Sequence, residues 1–307
     1  MDVLRFAQRF RRQPVAALAL TILLVAAVAA CGSAPASSRG GRVAVVAAEN
    51  FWGNIAAQIG GDRVKVTSII TNPTADPHLY ASNAVSAAAV ARARVVVENG
   101  VDYDTFMDDL LGGSGTHPVV VSAQDVLKVT GADANPHLWY DIPRVPLVAR
   151  AIEGAFVRVE PAGKAVFAAN LAKFDRSLAP LQAVISTIKR KYGGAAVAYT
   201  ERVPGYLLAD AGLTVASPAS FAAAIENGNE PAPGDVQAMN ALLTGHKVRV
   251  LLYNRQATSA VTQRVLSLAR QAGVPVVGVS ETLPPSDATY QAWQLRQAKE
   301  ILRALGG

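Results

Sequence analysis

The chain has one cysteine, four histidines and three tryptophans among 307 residues, and only 17 % of it is charged. A single cysteine, Cys31, excludes an internal disulfide, even in a compartment that would permit one. Without a thiolate or thioether cluster, nothing favours Cu(I). Beyond the first 30 residues no stretch interleaves Lys and Arg with aromatics, so nucleic acid is not an expected partner. H-E-x-x-H, G-x-S-x-G and a phosphate-cradling glycine loop are all missing, which removes the familiar signatures of metalloproteases, serine hydrolases and nucleotide binders. The apolar run from Val15 to Ala30 is 16 residues, short of the about 20 that a membrane-spanning helix needs. What is present is a 51 % hydrophobic composition and length enough for about two domains with substantial cores.

That apolar run follows Arg5, Arg9, Arg11 and Arg12 and ends in Val28-Ala29-Ala30-Cys31. A positive start, a short apolar core and small residues before a cysteine resemble a bacterial lipobox. Residues 1–30 are therefore expected to be a lipoprotein signal peptide, with Cys31 lipidated as the mature N-terminus. The alternative is a retained signal anchor with Cys31 incidental. Residues 31–41, rich in Ser, Ala and Gly, read as a flexible tether. The leader holds four Arg and one Asp, so the formal charge of +6 falls to +3 once it is removed.

From Arg42 strand and helix patterns alternate. Strands are predicted at Val43–Ala48, Val64–Ile70, Val95–Glu98 and Val119–Ser122, with helices at Phe51–Ile59, Ser82–Ala91 and Tyr103–Leu111. The segment from Pro143 to Tyr192 breaks that rhythm. Val166, Phe167, Leu171, Phe174, Leu178, Leu181, Val184, Ile185 and Ile188 recur at helical spacing from Ala162, interrupted by Pro180 and ended by Gly193-Gly194. One helix of about 30 residues would be roughly 45 Å long; two ordinary helices are the alternative. Alternation then resumes, with strands at Ala195–Tyr199, Leu213–Ala216, Val248–Tyr253 and Val276–Val279, a loop-rich crossover from Pro218 to Gly234, and a closing helix at Ala288–Leu305. The expected fold class is α/β: two βα lobes with parallel sheets, residues 42–142 and 193–307, joined by a long linking helix within 143–192. Ligands of such sheets bind beyond the carboxyl ends of the strands.

Two short stretches echo each other: Asp76-Pro77-His78-Leu79-Tyr80 and Asn135-Pro136-His137-Leu138-Trp139. Proline fixes its own φ and restrains the residue before it, so each histidine starts from a stiff backbone suited to presenting a nitrogen to a metal. Taken singly, each His reads as a solvated loop residue; the duplication speaks against that. In the second half, Glu201 and Glu281 each follow a predicted strand. Together the lobes offer two imidazoles from one side and two carboxylates from the other, a donor set suited to Zn²⁺, Mn²⁺ or Fe²⁺. Two carboxylates cancel the charge of a divalent ion, and bidentate glutamates would raise the coordination number towards the preference of Mn²⁺. Glu49 and Asn50, after the first strand, are candidates for orienting a ligand ring, or simply a helix start. His117 and His246 read as solvated loop residues, and Trp139 and Tyr140 as cleft walls or packing groups.

The repeated histidine motif, Glu201 with Gly205-Tyr206 and Ala211-Gly212-Leu213, Asn229-Glu230-Pro231 and Ser280-Glu281-Thr282-Leu283 resemble solute-binding lipoproteins of ABC importers for zinc and manganese. The resemblance covers essentially the whole mature chain. It implies a metal cleft between the lobes, His78, His137, Glu201 and Glu281 as ligands, and one Zn²⁺ or Mn²⁺ ion as cargo, with Fe²⁺ also within reach. It further implies an ABC importer permease as partner, lipid anchoring at the extracytoplasmic face of the cell membrane, a monomer and no enzymatic activity. Many members carry a histidine where this chain has Glu201 and an aspartate where it has Glu281. The His-rich loop of zinc-specific members has no counterpart in Leu127–Ala134. The alternatives are a metal-dependent hydrolase, a surface adhesin using the ion structurally, or a binder of siderophores or corrinoids, which would have no use for paired histidines.

Overall fold

The computed structural model describes residues 41–307. The expected signal peptide, Cys31 and all of the expected tether but Gly41 lie outside the described residues. The first sheet comprises β1 (Val43–Glu49), β2 (Val64–Ile70), β3 (Val95–Glu98) and β4 (Val119–Ser122), all parallel, in the order β2-β1-β3-β4. Val45 sits between Val66 and Val95 in register. Runs of valine suit strands covered on both faces, as parallel sheets are. The second sheet repeats the plan with β5 (Ala196–Tyr199), β6 (Thr214–Val215), β7 (Leu251–Asn254) and β8 (Val276–Val279), ordered β6-β5-β7-β8. In each sheet the chain reverses direction beside the first strand, so a crevice opens at the carboxyl ends.

The first lobe carries α1 (Asn50–Gly60), α2 (Ala84–Val90), α3 (Phe106–Gly113) and α4 (Ala123–Leu127). Phe51, Trp52, Ile55, Ala56 and Ile59 bury one side of α1. A Cβ at Gly53 would lie 2.1 Å from Ser68 Oγ, so only glycine lets α1 approach β2 this closely. Helix α2 begins two residues later than expected because Asn83 caps it, its side chain accepting from the Val85 and Ser86 amides. The turn before α3 also differs from expectation. Val101 and Asp102 hold φ of 57° and 56°, and Asp104 accepts from the Asn99 and Gly100 amides, so helix begins only after Tyr103 is placed. A left-handed valine is costly, and it is found where a side chain must be aimed.

Between the two sheets the sequence supplies α5 (Val145–Val159), which packs on β3, β4 and α1 of the first lobe, then α6 (Lys164–Ser177) and α7 (Ala179–Tyr192). Helices α6 and α7 meet end to end at Leu178, whose φ of −79° and ψ of −15° stay helical. Pro180 has no N–H to give, and Ser177 Oγ takes the Phe174 carbonyl at 2.6 Å, which is why the single expected helix is two in line. Helix α6 packs on α1 in the first lobe.

The second lobe adds α8 (Gly205–Asp210), α9 (Ala219–Glu226), α10 (Pro233–Thr244), α11 (Ala260–Gln271) and α12 (Tyr290–Ala304), and α7 packs on α12. Helix α9 occupies much of the stretch expected to be loop, because Phe221, Ala222 and Ile225 give it a buried face.

One apolar core runs beneath both lobes, from Val45 and Val97 through Trp139, Phe174 and Ile185 to Leu252 and Trp293. Separate clusters cover the outer faces, around Val96 and Met107 in one lobe and Leu251 and Val265 in the other. Among the described residues no helix is long and apolar enough to cross a membrane.

Candidate metal centre

His78 stands on a single turn, Pro77–Leu79, in the loop that follows β2. Asp76 Oδ1 accepts the His78 amide at 2.9 Å. Asn135 Oδ1 does the same for the His137 amide at 3.1 Å. The repeated motif is thus a repeated Asx turn, in which the side chain before proline fixes the backbone of the histidine after it. Asn135 Oδ1 also lies 2.7 Å from His137 Nδ1. That bond leaves the proton on Nδ1 and turns the lone pair of Nε2 into the cleft. Trp139, stacked on Phe51 at 4.0 Å between centroids, stands 5.2 Å from the His137 ring and is fully buried.

Glu201 follows β5 and Glu281 follows β8, at the carboxyl edge of the second sheet. Strand β7 lies between those two strands, and its last residue, Asn254, touches both carboxylates. Its Nδ2 donates to Glu201 Oε2 at 2.5 Å and to Glu281 Oε1 at 2.7 Å. Across the cleft, His78 Nε2 is 3.6 Å from Glu201 Oε1 and 3.5 Å from Glu281 Oε2. His137 Nε2 is 3.6 Å from Glu281 Oε2. One ligand atom from each of the four residues lies within 4.8 Å of the others. Three of the side chains are fully buried, and His78 is 15 % exposed.

His78 Nε2, His137 Nε2 and Glu201 Oε1 are buried with no hydrogen-bond partner. Buried polar atoms are almost always paired, so three orphans converging on one point mark a place for a cation. The electrostatics agree. Burial lowers His137, which keeps its imidazole neutral and able to coordinate. Burial, and then the charge of Glu281, raises Glu201 well above the usual carboxylate range. Burial pushes Glu281 up too, but the nearby His137 and His78 and the hydrogen bond from Asn254 outweigh this and hold it at about 2. Burial and mutual repulsion thus disfavour two negative charges on the pair until a cation arrives.

Residues from both lobes brace this arrangement. Tyr103 Oη donates to Glu281 Oε2 at 2.8 Å from the opposite lobe. Gln256 Oε1 accepts the amides of Glu281 and Thr282 at 2.7 and 3.1 Å, while its Nε2 donates to the Ala75 carbonyl in the His78 loop at 2.8 Å. Asn135 Nδ2 donates to the Arg202 carbonyl, next to Glu201, at 2.9 Å. Asn50 exchanges two hydrogen bonds with the Leu283 backbone, at 2.8 and 2.9 Å, and so holds the strand-end loop of Glu281. Glu49 bonds to neither imidazole. It is fully buried with both oxygens unpartnered, and burial and then Asp104 raise it well above its ordinary value. His117 and His246 are exposed on the surface.

Sequence reasoning did not single out Tyr103, Asn254 or Gln256. For Asn254 a signal existed, a polar residue closing an apolar strand where ligands of such sheets bind. Tyr103 offered none, since it was expected within a helix.

The curated relatives include the manganese-binding lipoprotein MntA of Bacillus subtilis (strain 168), 26 % identical over 169 residues, 52 % of this chain and 55 % of that protein. The chain thus spans about half the length of the curated relatives it matches. Among solved structures, the periplasmic zinc-binding protein TroA from Treponema pallidum superposes with a TM-score of 0.73 at 17 % identity, covering 87 % of this chain and 100 % of that one. The SBP FpvC from Pseudomonas aeruginosa in complex with Mn²⁺ gives 0.72 at 22 % identity, with 86 % and 98 % covered. Both have the same fold. The family of the periplasmic zinc-uptake complex component A, ZnuA, matches residues 45–304, and the chain belongs to it.

Proposed function

We propose that this protein is the receptor of an ABC importer, capturing one divalent transition-metal ion, Zn²⁺ or Mn²⁺ with Fe²⁺ also accommodated, and delivering it to a membrane permease. The observation that carries this reading is the convergence of His78, His137, Glu201 and Glu281, with three of their donor atoms buried and unpartnered. His78 and His137 supply nitrogen from the first lobe, residues 42–142. Glu201 and Glu281 supply oxygen from the second, residues 193–307, and residues 143–192 join the two. The bound centre is neutral, because two carboxylates match a divalent charge, and so it tolerates burial. Four donors from two lobes suit capture and release. Turnover would need an open coordination position with a general base beside it, and here both carboxylates are spent as ligands. The relatives' names support a metal cargo. Lipidation at Cys31 would hold the receptor at the extracytoplasmic face as a monomer beside its permease.

The test is native mass spectrometry of protein purified without added metal, followed by competition titration and chelation. One ion per chain and a folded apoprotein after chelation are expected. Unfolding on chelation would assign the ion a structural role and sink the cargo reading.

A further inference from the structure

The oxygens of the two glutamates are not equivalent. Asn254 Nδ2 uses its two hydrogens on one oxygen of each carboxylate, Glu201 Oε2 and Glu281 Oε1. The other two oxygens, Glu201 Oε1 and Glu281 Oε2, are the ones that face the imidazoles. Asn254 itself cannot turn. Its Oδ1 accepts the Gln256 amide at 3.0 Å, its own amide donates to Thr200 Oγ1 at 3.1 Å, and it is fully buried. The bond to Oδ1 also decides which end of the side chain is nitrogen. Glu281 Oε2 further accepts from Tyr103 Oη, which leaves that oxygen one lone pair for an ion.

We propose that Asn254 is a specificity-determining positioning residue that keeps both glutamates monodentate, so that the ion meets two nitrogens and two oxygens in a four-coordinate site. The proposal rests on the ligand set given above and deepens it. A four-coordinate N₂O₂ site suits Zn²⁺, whose structural sites are tetrahedral. Mn²⁺ favours more oxygen ligands, and gaining them here would compete with the bonds from Asn254, which hold the second oxygen of each carboxylate. Glutamate in place of histidine at position 201 therefore does not by itself make a manganese site, because the oxygen that would complete a bidentate contact is the one held by Asn254, and Oε1 is the one that faces His78. The amide also spreads one neutral dipole over two like charges, which a substituent without an N–H cannot do.

Cobalt(II) added to the metal-free full chain tests this, because four-coordinate Co²⁺ absorbs several-fold more strongly in the visible than five- or six-coordinate Co²⁺. The wild type is expected to give the intense spectrum. Asn254→Ser removes the amide, and its Co²⁺ absorption should fall severalfold while the Mn²⁺/Zn²⁺ affinity ratio rises roughly tenfold, the scale on which groups behind metal ligands act. A weak spectrum in the wild type overturns the proposal without any variant, so the test survives a poorly folding Asn254→Ser. Intense absorption and an unchanged ratio in a folded Asn254→Ser protein also overturn it. Wild-type Co²⁺ binding that His137→Ala leaves untouched would overturn the ligand set instead, a result distinct from bound cobalt of higher coordination.

Discussion

Asn135 grips His137 twice with a single oxygen, at 3.1 Å from its amide and 2.7 Å from its Nδ1, and its amide nitrogen reaches across the cleft to the Arg202 carbonyl. One side chain thus orients a nitrogen of the first lobe and the residue beside Glu201 in the second. Asn135→Ala should weaken metal affinity by roughly 10–100-fold, because the His137 tautomer and ring angle are no longer fixed. Isothermal titration with Zn²⁺ checks it; affinity within twofold of wild type would show the Asx turn to be dispensable.

The histidines themselves should matter more. His78→Ala or His137→Ala removes a bond to the ion and should cost several orders of magnitude in affinity. The apoprotein should stay folded in each case, for both side chains end in the cleft and not in a core. Circular dichroism beside a competition titration separates the two effects. Binding that survives nearly intact would remove that histidine from the site.

Selectivity should respond to Glu201→His. The change replaces an anionic oxygen by a neutral nitrogen, suits tetrahedral Zn²⁺ and deprives Mn²⁺ of an oxygen. The Zn²⁺/Mn²⁺ affinity ratio should rise by at least about tenfold, equivalent to about 1.4 kcal/mol, and absolute Mn²⁺ affinity should fall. An unchanged ratio would place Glu201 outside the coordination sphere.

Acid should act on binding and on stability in opposite directions. Glu201, raised by burial and then by Glu281, must be ionised to bind the ion, so affinity falls as pH drops. The apoprotein behaves otherwise. Burial, then Asp104, Asp108 and Asp125, push Glu98 up to about 7, and Glu49 is raised as well. Raised carboxyls bind more protons folded than unfolded, so they destabilise the fold as pH climbs from their ordinary range through the raised value. Glu281, held at about 2, is ionised throughout that range and adds no slope. His137, lowered by burial, adds an opposing slope only below its ordinary value of 6.5, so the melting temperature of chelated protein should fall between about pH 6.5 and about pH 8, and Glu98→Gln should flatten the fall. A melting temperature that rises over that window would refute the sign.

Much of this was legible before any coordinates. Val64–Ile70, Val95–Glu98, Val119–Ser122 and Val276–Val279 are strands with the boundaries their valine-rich runs suggest. The Asp/Asn-Pro-His repeat exposed the histidines because an Asx turn leaves a local signature. Asn254 and Tyr103 left none of comparable strength. Asn254 matters because β7 lies between β5 and β8, a neighbourhood created by strand order. Tyr103 matters because a left-handed turn at Val101 and Asp102 aims it across the cleft. Helix α9 was hidden by the prolines and glycines on either side of a short apolar stretch, where turn signals outvoted it.

The shared core beneath the lobes decides how quickly an ion can leave. Swinging the lobes wide apart would strip cover from Trp139, Phe174 and Tyr290, at about 25 cal/mol for each Å² of apolar surface exposed. The His78 loop is fastened more lightly, by the Gln256 bond to Ala75 and the 3.4 Å contact of Thr282 Oγ1 with the Asn72 carbonyl. Peeling it back frees the one ligand whose side chain is partly exposed. Release is then expected to begin at this strap, with His78 the first ligand to let go. Residence time is thereby expected to respond to the two hydrogen bonds on the loop backbone, and affinity to the side chains beneath it.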